Sequence, residues 1–260
     1  FLIWSVVYIV AKAVISGTEL KLSSFTGLIE EPAYYQFWFM YPLLGMYLLL
    51  PIIKSVVKNC DKKKIEYFLL LNFIFSYAVP VFTKYVLKSE VSSHVDMVLC
   101  EGYLGYFVLG YYLKRYHKDL KLVKAWGLFL IGAVPTIVVA VREFYLMYQT
   151  GQAYAGHAYL TYMTPRFVLM CAGAFLLLQN KKYALKEKSV KAVATLSTLS
   201  IGIYYIHMLV LTVLEKVGIV GDGNIIILVV KIFATYIVSL VGAFIISKIP
   251  FIRKILLGVK

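Results

Sequence analysis

Cysteine, histidine and extended polar sequence are all in short supply in this chain of 260 residues. Its three cysteines cannot build a disulfide framework, and Cys100 and Cys171 fall inside apolar runs, where a thiol serves as a small hydrophobe. The four histidines, His94, His117, His157 and His207, do not fall at metal-ligand spacings, so no metal is expected. There is no Gly-x-Ser-x-Gly elbow, no His-Glu-x-x-His pair and no Walker loop, which removes the usual signatures of hydrolases, zinc proteases and P-loop enzymes. Internal repeats, heptads and low-complexity tracts are also missing, and the lack of repeated halves speaks against an inverted-repeat transporter. The longest loop, residues 17–36, is too short for a separately folding soluble domain.

What the chain has instead is apolar sequence from end to end. Hydrophobic residues make up 61% and aromatic residues 16%, with a mean hydropathy of +0.80. Soluble domains run at roughly 45–50% apolar, so the composition is that of an all-α, polytopic membrane helix bundle. A net charge of +14 suggests nucleic acid or short basic cytoplasmic loops. No nucleic-acid motif supports the first, so no nucleic-acid partner is expected and membrane lipids are.

A spanning helix needs about 20 mainly apolar residues. Eight segments qualify or nearly so: Phe1–Ser16, Phe37–Val57, Ile65–Val86, Val95–Leu113, Leu122–Phe144, Ala158–Gln179, Val193–Leu214 and Ile225–Ile246. KNCDKKK (58–64), KRYHKDLKLVK (114–124), NKKYALKEKSVK (180–191) and the tail KIPFIRKILLGVK (248–260) are dense in Lys and Arg, and each follows an even-numbered segment. The other loops carry no basic cluster. The positive-inside rule then sets both ends of this sequence on the cytoplasmic side of a plasma membrane, with Cys60 in the reducing compartment. The chain opens directly on FLIWSVVYIV, with neither a methionine nor a charged leader. That start leads to the expectation of a sequence beginning inside a longer protein.

Polar side chains within such segments are costly and therefore informative. In the seventh, Ser200, Tyr204, His207 and Leu211 follow i, i+4, i+7, i+11 and share one helix face. Ser200 and His207 lie about 10 Å apart along the axis, too far to bond, whereas Tyr204 and His207 are one turn apart. A polar helix–helix clamp and a functional site both fit this face. In the sixth segment Arg166 is expected about 12 Å deep, beside a Pro165 that would kink the helix. It either snorkels or meets a carboxylate, for which Glu143 and Glu101 are the candidates. The sharper expectation is an outward-opening polar cavity built from Arg166, Glu101 and the neighbouring Arg142 and Glu143. Lys231 of the eighth segment reads as a structural, snorkelling lysine. The aromatic stretch AYYQFWFMYPLLGMYLLLP (33–51) is either an interfacial belt or the rim of that cavity.

The stretch LSTLSIGIYYIHMLVL (196–211) resembles a late-helix signature of the integral-membrane acyltransferase family 3, Ser-x-x-Ile-Tyr-x-x-His, matched by Ser200, Ile203, Tyr204 and His207. QFWFMYPLLGMYLLLP (36–51) is similar to that family's aromatic entry at Trp38, Phe39, Tyr47 and Pro51, with Gln36 in place of a frequent histidine. GYLGYFVLGYYLKRY (102–116) and the opening FLIWSVVYI resemble further family helices in the right order.

The resemblance implies a fold of about ten helices and one transmembrane acyltransferase domain over 1–260, lacking the first two helices. The implied enzyme moves an acyl group, often acetyl, from a cytoplasmic donor such as acetyl-CoA or another acyl-CoA to an envelope polysaccharide or lipid-linked glycan. It also implies that the principal base, a first-helix histidine paired with an arginine, lies upstream of Phe1. Ser200, Tyr204 and His207 are then supporting catalytic residues, and Arg166, Glu101, Arg142, Glu143 and Trp38 line the acceptor side. A flippase or transporter of a lipid-linked sugar, and a non-catalytic membrane partner, are the competing functions.

Overall fold

The computed structural model describes residues 2–17, 19, 23–26, 32–87, 103–150, 162–180, 186–219 and 225–256, and among them every regular element is helical. In chain order these are α1 (Leu2–Ser16), the single turn α2 (Ser23–Thr26), a 3₁₀ segment (Tyr35–Phe39), α3 (Met40–Asn59), α4 (Lys62–Asn72), a π segment (Phe73–Ala78), α5 (Val79–Tyr85), α6 (Tyr103–Tyr116), α7 (Leu122–Thr150), α8 (Pro165–Leu178), α9 (Glu187–Lys216), α10 (Ile225–Lys248) and α11 (Pro250–Leu256). Five helical stretches among them are long and apolar enough to cross a membrane: Tyr35–Asn59, Lys62–Lys84, Leu122–Leu146, Glu187–Lys216 and Ile226–Lys248. The expected first and sixth segments correspond to shorter apolar helices. The fourth is α6, whose expected start at Val95 lies outside the described residues.

The chain forms two compact units. One holds Phe1–Leu44 and Leu185–Lys260, the other Gly45–Ala184. In the first, α9 packs along α10. The inward stripe of α10 is Thr235, Ser239 and Ala243, at 8%, 0% and 0% exposure, while Phe233 and Ile226 stand 62% and 70% exposed. Large apolar side chains outside and small or hydroxylated ones inside is the reverse of a soluble helix. It is what an apolar solvent allows, because helices then associate by close packing rather than by hiding hydrophobic surface. Lys231 is drawn into this packing by Glu215 of α9, with Nζ to Oε1 at 2.7 Å.

In the second unit α7 and α8 lie against each other through paired glycines. A methyl group on Gly132 would overlap the Arg166 carbonyl and the Met170 backbone, and one on Gly173 would overlap the Phe129 backbone. Gly105 of α6 makes a similar approach to the buried Asn72 side chain. The π segment precedes Pro80, which has no N–H to give to the Ser76 carbonyl. The ladder widens there, and the Val79 amide bonds back to Ile74. At the basic end of α4, Asp61 caps the helix by accepting from the Lys64 amide at 2.8 Å. That bond, with the charge of Lys64, holds the Asp61 carboxyl below the usual carboxylate range.

One expectation is corrected by the start of α8. Tyr162–Thr164 is bent and Thr164 is extended, so the helix begins at Pro165 rather than passing through it from Ala158. The physical reason lies in the proline itself. Its missing N–H is harmless at the first helical position, its fixed φ suits helix entry, and it pushes the preceding residue to extended backbone. Pro165 therefore starts a helix instead of kinking one.

The glycine contacts make a direct test. Gly132→Ala and Gly173→Ala are each expected to lower stability by about 1–3 kcal/mol through overpacking. Gly127→Ala, where nothing lies within 4 Å of the added methyl, is expected to leave it unchanged or slightly raised. Thermal unfolding of the purified protein in one detergent compares the three.

Candidate functional site

The first unit brings together the two stretches of sequence that carry the polar and aromatic signatures. The 3₁₀ segment seats Gln36 and Phe37 in the interior, at 6% and 0% exposure. Phe37 meets Tyr8 of α1 edge-on at 4.9 Å between ring centres. Trp4, one turn before Tyr8, stacks on Tyr205 of α9 at 5.2 Å and 10°. The Tyr8 hydroxyl donates to the Tyr205 carbonyl at 2.8 Å, and the Gln36 side chain lies beside that hydroxyl. Tyr35 and Tyr205 point their hydroxyls at the sulfur atoms of Met208 and Met40. Trp4 Nε1 donates to the Leu256 carbonyl of α11 at 2.8 Å. The hydroxyls of Tyr8, Tyr35 and Tyr205 and the indole of Trp4 are thus given acceptors, as a low-dielectric interior demands.

Tyr204 and His207 form the edge of this cluster. The Tyr204 hydroxyl donates to the backbone carbonyl of Gln36, tying α9 to the 3₁₀ entry. Because the acceptor is main chain, the joint does not depend on which side chain occupies position 36. Phe39 and His207 flank the Tyr204 ring at 6.5 and 5.9 Å between ring centres. His207 Nδ1 lies 2.7 Å from the Tyr204 carbonyl and 3.2 Å from that of Ile203. A carbonyl can only accept, so Nδ1 carries the hydrogen and Nε2 of the neutral ring holds the lone pair. The half-buried imidazole is thereby fixed in one tautomer, with an acceptor nitrogen presented away from its own helix.

Tyr204 and His207, one turn apart, meet through the Tyr204 backbone carbonyl rather than through its hydroxyl. Ser200 behaves differently from the other two. Its hydroxyl donates to the Ser197 carbonyl at 2.7 Å and the residue is exposed, so the helix backbone uses the group that the pattern aligned with the pair. Trp38 is 42% exposed and sits edge-on to Phe39. The pattern missed Tyr8, Tyr205 and the interior seat of Gln36. The i, i+4 spacing of Trp4 and Tyr8 was the available signal for α1.

The remaining expected residues belong to the second unit. Glu143 is 5% exposed and its Oε1 accepts from Arg142 Nη1 at 3.0 Å. Arg166 is half-buried in the first turn of α8, with its guanidinium 6.0 Å from the centre of the Phe167 ring. Its carbonyl abuts Gly132, eleven residues before Glu143 on α7. Eleven residues correspond to about 16 Å of helix. The Arg166 backbone is therefore level with the middle of α7. Glu101 lies outside the described residues. A cavity of about 360 Å³ lies between α4, α6, α7 and α8, with Asn72, Tyr77 and Tyr112 on its walls.

An all-helical chain with several spanning helices, apolar side chains outward and hydrogen-bonded aromatics within is a multi-pass membrane protein. Its family is set by sequence comparison: the family model described as an acyltransferase domain matches residues 1–248, and the chain belongs to acyltransferase family 3, a family of acyltransferases. No curated protein and no solved structure matches the chain.

The joint between α9 and the aromatic entry predicts a contrast. Tyr204→Phe removes the donor to the Gln36 carbonyl and is expected to cost about 1–2 kcal/mol. Ser200→Ala removes only an exposed bond within its own helix and is expected to change stability by less than about 0.5 kcal/mol. Thermal unfolding in detergent would reveal the difference.

Proposed function

We propose that the protein is an O-acyltransferase of the plasma membrane, with both ends of this sequence cytoplasmic. It takes an acyl group, acetyl being the expected one, from an acyl-CoA donor. The group passes to a hydroxyl of an envelope polysaccharide or lipid-linked glycan. Family membership supports acyl transfer, and the basic loops support the orientation. The observation that carries the site is the Tyr204–Gln36 bond, which holds two family-like stretches together and leaves His207 Nε2 as an oriented acceptor.

In this reaction the sugar hydroxyl oxygen attacks the thioester carbonyl, the hydroxyl proton passes to a base and the coenzyme A thiolate leaves. Such a step needs a base, stabilisation of the carbonyl oxygen and exclusion of water. His207 Nε2 accepts a hydrogen bond from a hydroxyl of the acceptor sugar next to the attacking one and so aims the ring, leaving the attacking hydroxyl's own proton for the base. That principal base is the first-helix histidine that the resemblance implies. Tyr204 holds the imidazole level with the aromatic entry, where Trp38 offers a face to a sugar ring. Ser200 supports this helix face. Taken by itself, the second unit offers Arg166, with Glu101, Arg142 and Glu143, as a candidate contact for an anionic or hydroxyl-rich glycan.

Deleting the gene is expected to remove acyl groups from the surface polysaccharide, read by chemical release and chromatography. Unchanged acylation would sink the proposal, and lost movement of a lipid-linked sugar with acylation intact would mark a flippase. His207→Ala is expected to lower transfer by roughly tenfold to a hundredfold at normal protein levels. Arg166→Leu is expected to raise the acceptor KM more than it lowers kcat.

A further inference from the structure

The second unit carries a second feature, remote in sequence from Tyr204 and His207. A cavity of about 680 Å³ lies between α3, α6 and α8, walled by Val57, Phe107, Val108 and Phe175 and floored at Gly110. A second hollow of about 580 Å³, lined by Lys58, Asn59, Tyr111, Lys114 and Arg115, shares Lys58, Tyr111 and Lys114 with the first. The apolar slot therefore ends in a basic bowl. Lys54 and Lys58, one turn apart near the C-terminal end of α3, and Lys114 and Arg115, at that of α6, supply the charge. No carboxylate lines either hollow among the described residues.

Two observations single out this rim. The lysines just beyond it are engaged, Lys62 with Glu66 and Lys64 with Asp61. Among the described residues Lys54, Lys58 and Lys114 have no carboxylate within ion-pair distance. The slot also has an open flank: Phe107 and Phe175 are 41% and 36% exposed, on the kind of surface that a spanning helix shows to lipid. Cations around an apolar slot that opens sideways match one chemistry, an acyl chain with a phosphate at its end. The volume lies within the range of small-ligand sites, roughly 300–1,000 Å³.

We propose that this cleft is a binding site for an anionic phospholipid of the bilayer. One acyl chain lies against Val57, Phe107, Val108 and Phe175, and the phosphate rests among Lys54, Lys58 and Lys114, with Arg115 held beside it by the Tyr111 hydroxyl. Lateral entry favours a lipid over a soluble acyl-CoA, which would enter from the aqueous end and has no need of an open flank. Basic pockets between membrane helices at the anionic leaflet are recognised sites for such headgroups. The site is independent of the acyl-transfer chemistry proposed for the first unit.

The test titrates the purified full chain in detergent with phosphatidylglycerol, phosphatidylcholine or palmitoyl-CoA, reading bound ligand by native mass spectrometry. Wild-type protein is expected to bind phosphatidylglycerol at least about tenfold more tightly than phosphatidylcholine. Replacing Lys54, Lys58 and Lys114 together by Gln is expected to abolish that preference, about fivefold per lysine. Gly110→Leu keeps every charge and fills the slot, and Gly110 has nothing within 4 Å of an added Cβ. It is expected to weaken phosphatidylglycerol binding severalfold without lowering the thermal midpoint. Equal binding of the two lipids would overturn the site, as would full phosphatidylglycerol affinity in Gly110→Leu, which would mean surface charge alone. Palmitoyl-CoA binding that phosphatidylglycerol cannot displace would reassign the cleft to a soluble thioester and also overturn it.

Discussion

A single hydrogen bond, from the Tyr204 hydroxyl to the Gln36 carbonyl, is the joint on which the first unit depends. In half-buried, largely apolar surroundings, a donor or acceptor left without a partner costs more than a made bond contributes. The bond therefore sets where α9 lies against the 3₁₀ entry. Once it is made, the Tyr204 carbonyl on the opposite side of the same residue takes the hydrogen of His207 Nδ1. The tautomer of the imidazole, and with it the chemistry that Nε2 can offer, follows from helix placement rather than from any second ionisable group.

Elsewhere the constraint is the same and the solution differs. With lipid outside, helices gain little by covering hydrophobic surface, so they rely on backbone contact and on small residues. Gly132 and Gly173 let α7 and α8 touch main chain to main chain, and Thr235, Ser239 and Ala243 form the inner stripe of α10. Where a polar ladder is broken, it is re-satisfied locally, as the π segment before Pro80 does with the Val79 amide. Acyltransferase family membership then gives this scaffold its activity class.

Much of the architecture was legible in the sequence because membrane helices are marked by length and apolarity alone. α1, α7, α9 and α10 lie close to where composition put them. The two family-like stretches, 36–51 and 196–211, were visible too, although nothing in the pattern said that they touch. The pattern misjudged one residue whose role is set locally. Pro165 looked like a kink and is a helix start, because the chain before it is already bent. Ser200 shares a helical face with His207 by spacing, and the structure adds that its hydroxyl donates to the Ser197 carbonyl of its own helix.

By itself, then, the sequence determined the solvent, the helical class and the family, since each depends on totals and periodicities that survive any arrangement of the segments. It also marked Tyr204 and His207 as costly residues that needed a reason. Only the tertiary structure decided which atoms satisfy them, that Tyr8, Gln36 and Tyr205 form the wall behind them, and that an apolar slot ends among lysines with no carboxylate partner among the described residues. Those features arise from side chains tens to hundreds of residues apart, and hydrogen-bond reach of about 3 Å is a property of packed helices rather than of spacing along a chain.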